Sequence, residues 1–360
     1  MQRMPVDGWR AGDETAREAA AWAIRLFCGR EPADEEEIRH LSQYETLDGL
    51  RRAFTENWEF RQFVDGMSGG RRRWGVPPFL MRPPRTDIPS KHEQPTLDEP
   101  VSQLCTGSQF KEPVYAEITE ALAMHANPHR KTWEMAYITS VLATHGMIGV
   151  GRRAIGFGCG RERLPSLLAS RGVEVVATDQ PANDTADLAR WRSSNQHASG
   201  LGDLFHNQIV HLDDFERLVE FGAVDMNDIP ASLDGQFDCC WSMSALQYIG
   251  PLERSLAFVE ASLRTIKPGG IAVHTTDFNL SSNGDTLDNG RQCILRRRDV
   301  EALCVHLTAQ GHQVMPLNLH PGHDATDEVV DLPPHGLPHL KLFVDRYVTT
   351  SIGIAIRKGG

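Results

Sequence analysis

RAIGFGCGRERLPSLLASRGVEVVATD, running from Arg153 to Asp179, is the most informative stretch of this 360-residue chain. Ala154 to Phe157 form a short apolar run, Gly156, Gly158 and Gly160 mark a turn, and Leu164, Leu167 and Leu168 recur at helical spacing. Gly172 stops the helix, and Val173, Val175, Val176 and Ala177 make a second strand that ends at Asp179. The unit reads strand, glycine turn, helix, strand, which is the start of a nucleotide-binding sheet. Glycines there let the backbone approach a ligand closely. The following helix start offers free N–H groups, and an acid at the end of the second strand can accept hydrogen bonds from a ribose diol. The competing reading is a glycine turn that joins two core elements and holds nothing.

Downstream, Ala223 and Val224 read as a short strand ending at Asp225, Phe237 to Trp241 as another, and Ile271 to Thr275 as a third after a turn at Lys267 to Gly270. Leu256, Val259 and Leu263 mark a helix between the last two. A helix over Asp299 to Gln310, a strand around His312 to Leu317, a His, Asp and Pro-rich loop from His320 to His339 and a closing strand Thr349 to Ile356 complete the chain. The last two strands have a loop between them and no helix, so they are expected to pair antiparallel at the edge of a parallel sheet. The fold expected is therefore α/β: a Rossmann-like, mostly parallel seven-stranded sheet with an antiparallel edge pair.

Upstream, Thr15 to Val64 has helical spacing, with Trp22, Ile24 and Phe27 on one face, then Ile38 and Leu41, then Leu47, Leu50 and Phe54, and the aromatic anchors Trp58, Phe60 and Phe63. We expect a small all-helical unit over residues 1–66. Residues 67–110 carry the run Arg71 to Arg73 and many prolines, and read as an extended linker. Residues 111–360 are then the sheet domain with its leading helices. In HRKTWEMAYITSVLATHG, Trp133, Tyr137, Val141 and Leu142 share a face, while Arg130, Lys131 and Glu134 fall off it; Arg130 and Glu134 are candidates for contacts to a charged ligand end. Gln180 to Gly202, with Trp191, Asn195 and Gln196, reads as a polar loop at the mouth of the site.

The formal net charge of −11 argues against general nucleic-acid binding, which needs clustered Lys and Arg. Seven cysteines without a CxxC pair suit buried thiols in a reducing compartment. The N-terminal residues lack an apolar leader segment and no apolar run is of transmembrane length, so we expect a cytoplasmic protein without membrane insertion.

From Trp133 to Arg357 the motifs, in order, resemble the class I S-adenosylmethionine-dependent methyltransferases: FGCG the first motif, Asp179 the ribose acid, VDM at Val224 to Met226 the adenine contact, FDCCWSMSALQYI the fourth-strand motif and LRTIKPGGIAVHTT the fifth. The pattern LFCGREP, LRRAF, WEF resembles a small helical unit fused to bacterial enzymes and glycosyltransferases acting on surface sugars. The resemblance implies S-adenosylmethionine as cofactor, with Gly158 and Gly160 under its methionine part, Gly156 among the cofactor-binding residues of the same turn, Asp179 on the ribose, Asp225 and Met226 at the adenine, and Ser242 near the sulfonium. Acids also end strands simply by capping, which is the plain reading of Asp225. Two departures stand out. Gly156 occupies the place of the family's usual acid, and Glu162 that of its third glycine, so Glu162 is the candidate replacement partner for the cofactor's amino group. Gln247 and Tyr248 stand where many members have Glu-His.

Methyl transfer is an in-line displacement that chiefly needs alignment and, for a hydroxyl acceptor, a base. The candidates are Asp277 first, then His274 and Tyr248, with capping as the plain alternative for Asp277. A small-molecule or glycan acceptor is expected, and sugar O-methylation is the reading the N-terminal resemblance favours. The rival is a non-catalytic binder of S-adenosylmethionine or S-adenosylhomocysteine that serves as an assembly partner. A dinucleotide fingerprint fits less well, because Arg161 and Arg163 stand where its last glycine would fall. His320, His323, Asp324 and Asp327 have ligand chemistry, but loop residues of these types are usually solvated, and no metal is assigned.

Overall fold

The computed structural model describes residues 13–28, 31–44, 46–56, 71–82, 85–181, 197–333 and 335–360. The expected anchors Trp58, Phe60 and Phe63 and the loop residues Trp191, Asn195 and Gln196 lie outside them. Near the N-terminus, α1 (Glu14–Cys28), α2 (Glu35–Leu41) and α3 (Leu47–Glu56) share a small core of Ala23, Ile24, Leu50 and Phe54. Trp22 is not part of it. Its ring is 58% exposed and the Arg25 guanidinium lies 5.2 Å over it, so the apolar face is narrower than the spacing suggested.

Next come α4 (Pro113–Ala121) and α5 (Arg130–Thr144), broken apart at Asn127 and Pro128, and then the stretch from Arg153 onward. It gives β1 (Arg153–Phe157), α6 (Leu164–Ser170) and β2 (Glu174–Asp179). After it follow α7 (Leu212–Leu218), β3 (Val219–Ala223), β4 (Phe237–Met243), α8 (Leu252–Thr265), β5 (Ile266–Asn279), α9 (Arg297–Ala309) and β6 (Tyr347–Arg357). The spatial order is β6, β5, β4, β1, β2, β3, with β1 to β5 parallel and β6 antiparallel to β5. Gln313–Val314 pairs antiparallel with the end of β6, which completes the expected antiparallel edge pair.

Beyond that edge the structure adds what the pattern did not show. Leu342–Val344, Val329–Asp331 and Arg71–Arg73 extend the sheet past β6, and short strands at 90–91, 102–104 and 317–318 bring the total to thirteen among the described residues. The Arg triplet is thus an edge strand, with Arg72 opposite Val330. The proline-rich segment is largely extended apart from one helical turn at Pro78–Met81, where proline's φ suits a helix start, and it is packed: Leu80, Ile88, Leu97 and Leu104 are buried, and Trp74 lies 4.3 Å beneath the Lys341 ammonium. Expecting a spacer with little to bury overlooked these isolated apolar residues, because single leucines among prolines have no periodicity to read.

This belt explains α5. On one side Tyr137 rests on β6, where a Cβ on Gly353 would meet its ring at 2.0 Å. On the other, Trp133 donates to Gln109 at 3.0 Å and Tyr137 to the Val101 carbonyl at 2.7 Å. Covered from both sides, α5 is buried from Arg130 to Leu142 except at Lys131. The charges that sequence spacing put on a solvated face are inside.

Candidate functional site

The glycine turn follows β1. Gly158 and Gly160 have φ of 60° and 53°, the left-handed region that glycine enters without strain. A Cβ on Gly158 would come within 2.8 Å of Ala245 Cβ and 3.2 Å of Met226 Sδ, so the turn, the residues after β3 and those after β4 close on one another. Gly156 has a different role from the one expected. A Cβ there would stand 2.3 Å from Trp241 and 2.5 Å from Cys159 Sγ, so this glycine makes room for the indole beneath the turn and is a packing residue.

Trp241 in turn donates from Nε1 to Glu162 Oε1 at 2.5 Å. Glu162 is 6% exposed, and Oε2 is buried without a hydrogen-bond partner among the described residues. Burial pushes the carboxyl up to about 8, against the pull of the Trp241 and Cys159 donors. The acid absent at Gly156 is thus present from the other end of the same turn, with one oxygen uncommitted.

Asp179 ends β2, and its carboxylate accepts from Gln180 N at 2.8 Å and Ala198 N at 2.9 Å. Burial lifts this carboxyl above its ordinary value, with the backbone donors of Ala198, Gln180 and Gly160 pulling against it. Asp225 is exposed and its Oδ1 accepts from Asn227 N at 2.8 Å, so it caps the turn after β3. Met226 is buried against Gly158.

At the far ends of β4 and β5 the structure corrects two expectations. His274 has no exposure; its Nδ1 meets Ser242 Oγ at 2.8 Å, its Nε2 meets Ser262 Oγ at 3.0 Å, and burial lowers it to about 3. It is a sealed core histidine and is withdrawn as a catalytic candidate. Ser242, also fully buried, is spent on holding it and does not open toward a ligand. The alternation along the strand is the reason: His274 and Ser242 face α8, whereas Thr275, Asp277 and Ser351 face α5.

On that second face lies a buried charge network that spacing did not reveal. Arg130 ion-pairs with Asp277, with side chains 7% and 1% exposed. Asp277 is within β5 and not after it, because the long partner β6 extends the pairing to Asn279 opposite Thr349. Burial works to raise the Asp277 carboxyl, but Arg130 and Lys131 outweigh it and hold it below its ordinary value. Arg130 Nε and Asp277 Oδ2 have no hydrogen-bond partner among the described residues. Glu134, wholly buried, accepts from Thr275 at 2.9 Å and from Ser244 and Ser351. Lys131 reaches Ser244 Oγ and stands 3.5 Å from Glu134. Tyr248, half-buried, is close enough for its phenol to act electrostatically on Arg130. The first turn of α5 is fixed from outside: Arg130 N donates to the His339 carbonyl at 2.8 Å, and the His129 and His339 rings stack at 4.3 Å.

The His and Asp loop has structural tasks. Asp324 caps the turn 325–328 and pairs with Lys111, while Asp327 holds the Gly107 amide at 3.0 Å and Lys341 at 3.4 Å. His320 packs against His323 at 4.4 Å and His92 at 5.2 Å. Among the described residues no group of three or more His, Cys, Asp and Glu could hold a metal ion. None of their helices is long and apolar enough to cross a membrane. A hollow of about 460 Å³, lined by Glu260, Arg264, Gln310, His312 and Lys358, lies at the opposite end of the sheet from the glycine turn.

Residues 155–274, from β1 into β5, match the family model described as a methyltransferase domain. Solved structures similar to this chain include a putative sarcosine dimethylglycine methyltransferase from Galdieria sulphuraria, 12% identical over 69% of this chain and 99% of that one, with a TM-score of 0.39. The magnesium protoporphyrin IX methyltransferase from Synechocystis PCC 6803 with bound S-adenosylhomocysteine is 12% identical over 69% of this chain and 88% of that one, with a TM-score of 0.38. The 1,6-didemethyltoxoflavin-N1-methyltransferase from Burkholderia thailandensis is 14% identical over 62% and 76%, with a TM-score of 0.35. No curated protein matches the chain. The match spans a third of the chain and takes in the glycine turn, β1 to β4 and most of β5 of a Rossmann-like α/β sheet.

Proposed function

We propose that the cleft at the carboxyl ends of β1, β2 and β4 binds S-adenosylmethionine and that the protein methylates a hydroxyl of a small or glycan acceptor. The observation that carries this reading is the pairing of a left-handed glycine turn with two acids facing it, Asp179 and the partly uncommitted Glu162. A ribose diol suits Asp179, and an ammonium suits the buried Glu162 Oε2, where an unmatched carboxylate is costly. Gly158 packs so closely on Ala245 and Met226 that no side chain fits there, which keeps the backbone of the turn bare toward a ligand, and Asp225 and Met226 are assigned to the adenine end. The cofactor, once bound, supplies an activated methyl group on a cationic sulfur. The chain's own part is to align the acceptor and exclude water.

On the acceptor side stand Tyr248, Ser244, Lys131 and the Arg130–Asp277 pair. Asp277, ionised and matched to a guanidinium, acts there by fixing Arg130. The polar loop after β5 is folded by its own side chains, with Asn279 accepting from Ser281 N and Ser282 N at 2.9 Å, and it suits an acceptor rich in hydroxyls such as a sugar. The bacterial glycan setting rests on the resemblance of the N-terminal helices. Incubation with labelled S-adenosylmethionine and a panel of sugars, glycans and glycosylated metabolites tests the reading. Label transfer to a sugar hydroxyl is expected. Cofactor binding with no transfer to any acceptor would favour the non-catalytic rival.

A further inference from the structure

Ser244 follows β4 with φ of 50°, a conformation that costs a serine roughly 1–3 kcal/mol and persists only where its surroundings enforce it. Its amide is held by the Thr275 carbonyl at 3.0 Å, and its hydroxyl lies between Glu134 and Lys131. Glu134 is anchored by the hydroxyls of Thr275, Ser351 and Ser244, so the whole set is fixed to β4, β5 and β6. Its buried members face one another. Lys131 differs: 35% of its side chain is accessible, against 7% for Arg130 and 0% for Glu134. An amine nitrogen has more than one direction for hydrogen bonding. Ser244 takes one and Glu134, at 3.5 Å, a second and longer one, and with a third of the side chain accessible the remaining direction of Lys131 Nζ is open beside the end of β4.

We propose that Lys131 is a catalytic residue, the base that accepts the proton of a hydroxyl acceptor, positioned by Ser244 and Glu134. This inference rests on the methyl-transfer reading above. In the step, the acceptor O–H proton passes to the lone pair of Lys131 Nζ, the oxygen bonds to the methyl carbon, and the carbon–sulfur bond breaks with its electron pair left on sulfur. Burial lowers the proton affinity of Lys131, Glu134 opposes this, and Arg130 adds to the lowering, for a net shift below the ordinary lysine value. A cationic sulfur bound beside it would lower it further. Asp277, held low by Arg130, is the weaker base of the two. The acceptor class follows: a protonated oxygen, since an amine acceptor that is already neutral needs no such group.

The test uses the full chain with S-adenosylmethionine and whichever hydroxyl acceptor the panel identifies. Lys131→Arg and Lys131→Ala are expected to bind S-adenosylhomocysteine within about threefold of wild type, which shows that they fold and keep the cofactor site, and to lose about 10²- to 10⁴-fold in transfer rate. The rise of rate with pH, as Lys131 loses its proton, should vanish in Lys131→Arg, and small primary amines should restore part of the rate to Lys131→Ala. Transfer by Lys131→Arg within about threefold of wild type, or an unchanged pH profile, would overturn the inference while leaving the methyl-transfer reading intact. A wild-type protein that binds S-adenosylhomocysteine and transfers to no acceptor would overturn the reading itself, and the inference with it.

Discussion

Glu162 and Gly156 show how two departures from a motif compensate each other. Placing an acid at 156 would drive it into the Trp241 ring, so the indole and the acid exchange places, and the indole N–H fixes Glu162 from below. Gly156→Ala should therefore destabilise the fold by about 1–3 kcal/mol in denaturant unfolding, as overpacking does. Because burial raises Glu162 to about 8, its neutral form is the one the free fold favours. Its contribution to stability is then complete below the usual glutamate range and is lost as pH rises through about 8. Thermal melts from about pH 6 to pH 9 should show wild type losing stability that Glu162→Gln keeps. Cofactor affinity should run the opposite way, rising with pH as the carboxylate forms. Glu162→Gln should weaken S-adenosylhomocysteine binding by roughly 10- to 100-fold, the worth of a charge-assisted hydrogen bond. Both residues were visible in the sequence as irregularities. Trp241 was not, since nothing in FDCCWSM tells which side of the strand faces the turn.

At the scale of single elements, α5 is the part whose existence could be read and whose surroundings could not. Its span follows from spacing, with the break at Asn127 and Pro128, but hydrophobic periodicity assigns charged residues to solvent by default. Here Arg130 and Glu134 are inside because the ends of β4, β5 and β6 present Asp277, Ser244, Thr275 and Ser351 to receive them. Such partners lie more than a hundred residues away in sequence and no local window joins them. Arg130→Met should cost about 3–5 kcal/mol by leaving Asp277 buried and uncompensated. Arg130→Met with Asp277→Leu should recover most of that loss in the same unfolding measurement. An additive pair would mean that the two charges do not meet. The strand β5 taught a related lesson: its end was set too early because its length is dictated by β6, whose own pattern gives no hint of the partner's reach.

Across the whole molecule, the succession of strands along the chain was legible because most lie in apolar segments bounded by turns, although β3 runs over Val219–Ala223 and stops before Val224, whereas the sequence pattern ends it at Asp225. The belt of residues 71–110 was not, because its buried leucines stand alone among prolines. Its removal makes a clear contrast. Deleting residues 1–70 should leave the melting transition of the sheet domain in place. Deleting 1–110 also strips Leu80, Ile88, Leu97 and Leu104 from the core, each worth about 1.5–3 kcal/mol, and should abolish cooperative unfolding. The central claim is that the crevice between the glycine turn and Asp179 is a cofactor site, and calorimetric titration of wild type and Asp179→Ala with S-adenosylhomocysteine tests it most directly. The account predicts saturable one-to-one binding to wild type, weakened about 10- to 100-fold in Asp179→Ala. No binding by wild type, or undiminished binding by the variant, would contradict it.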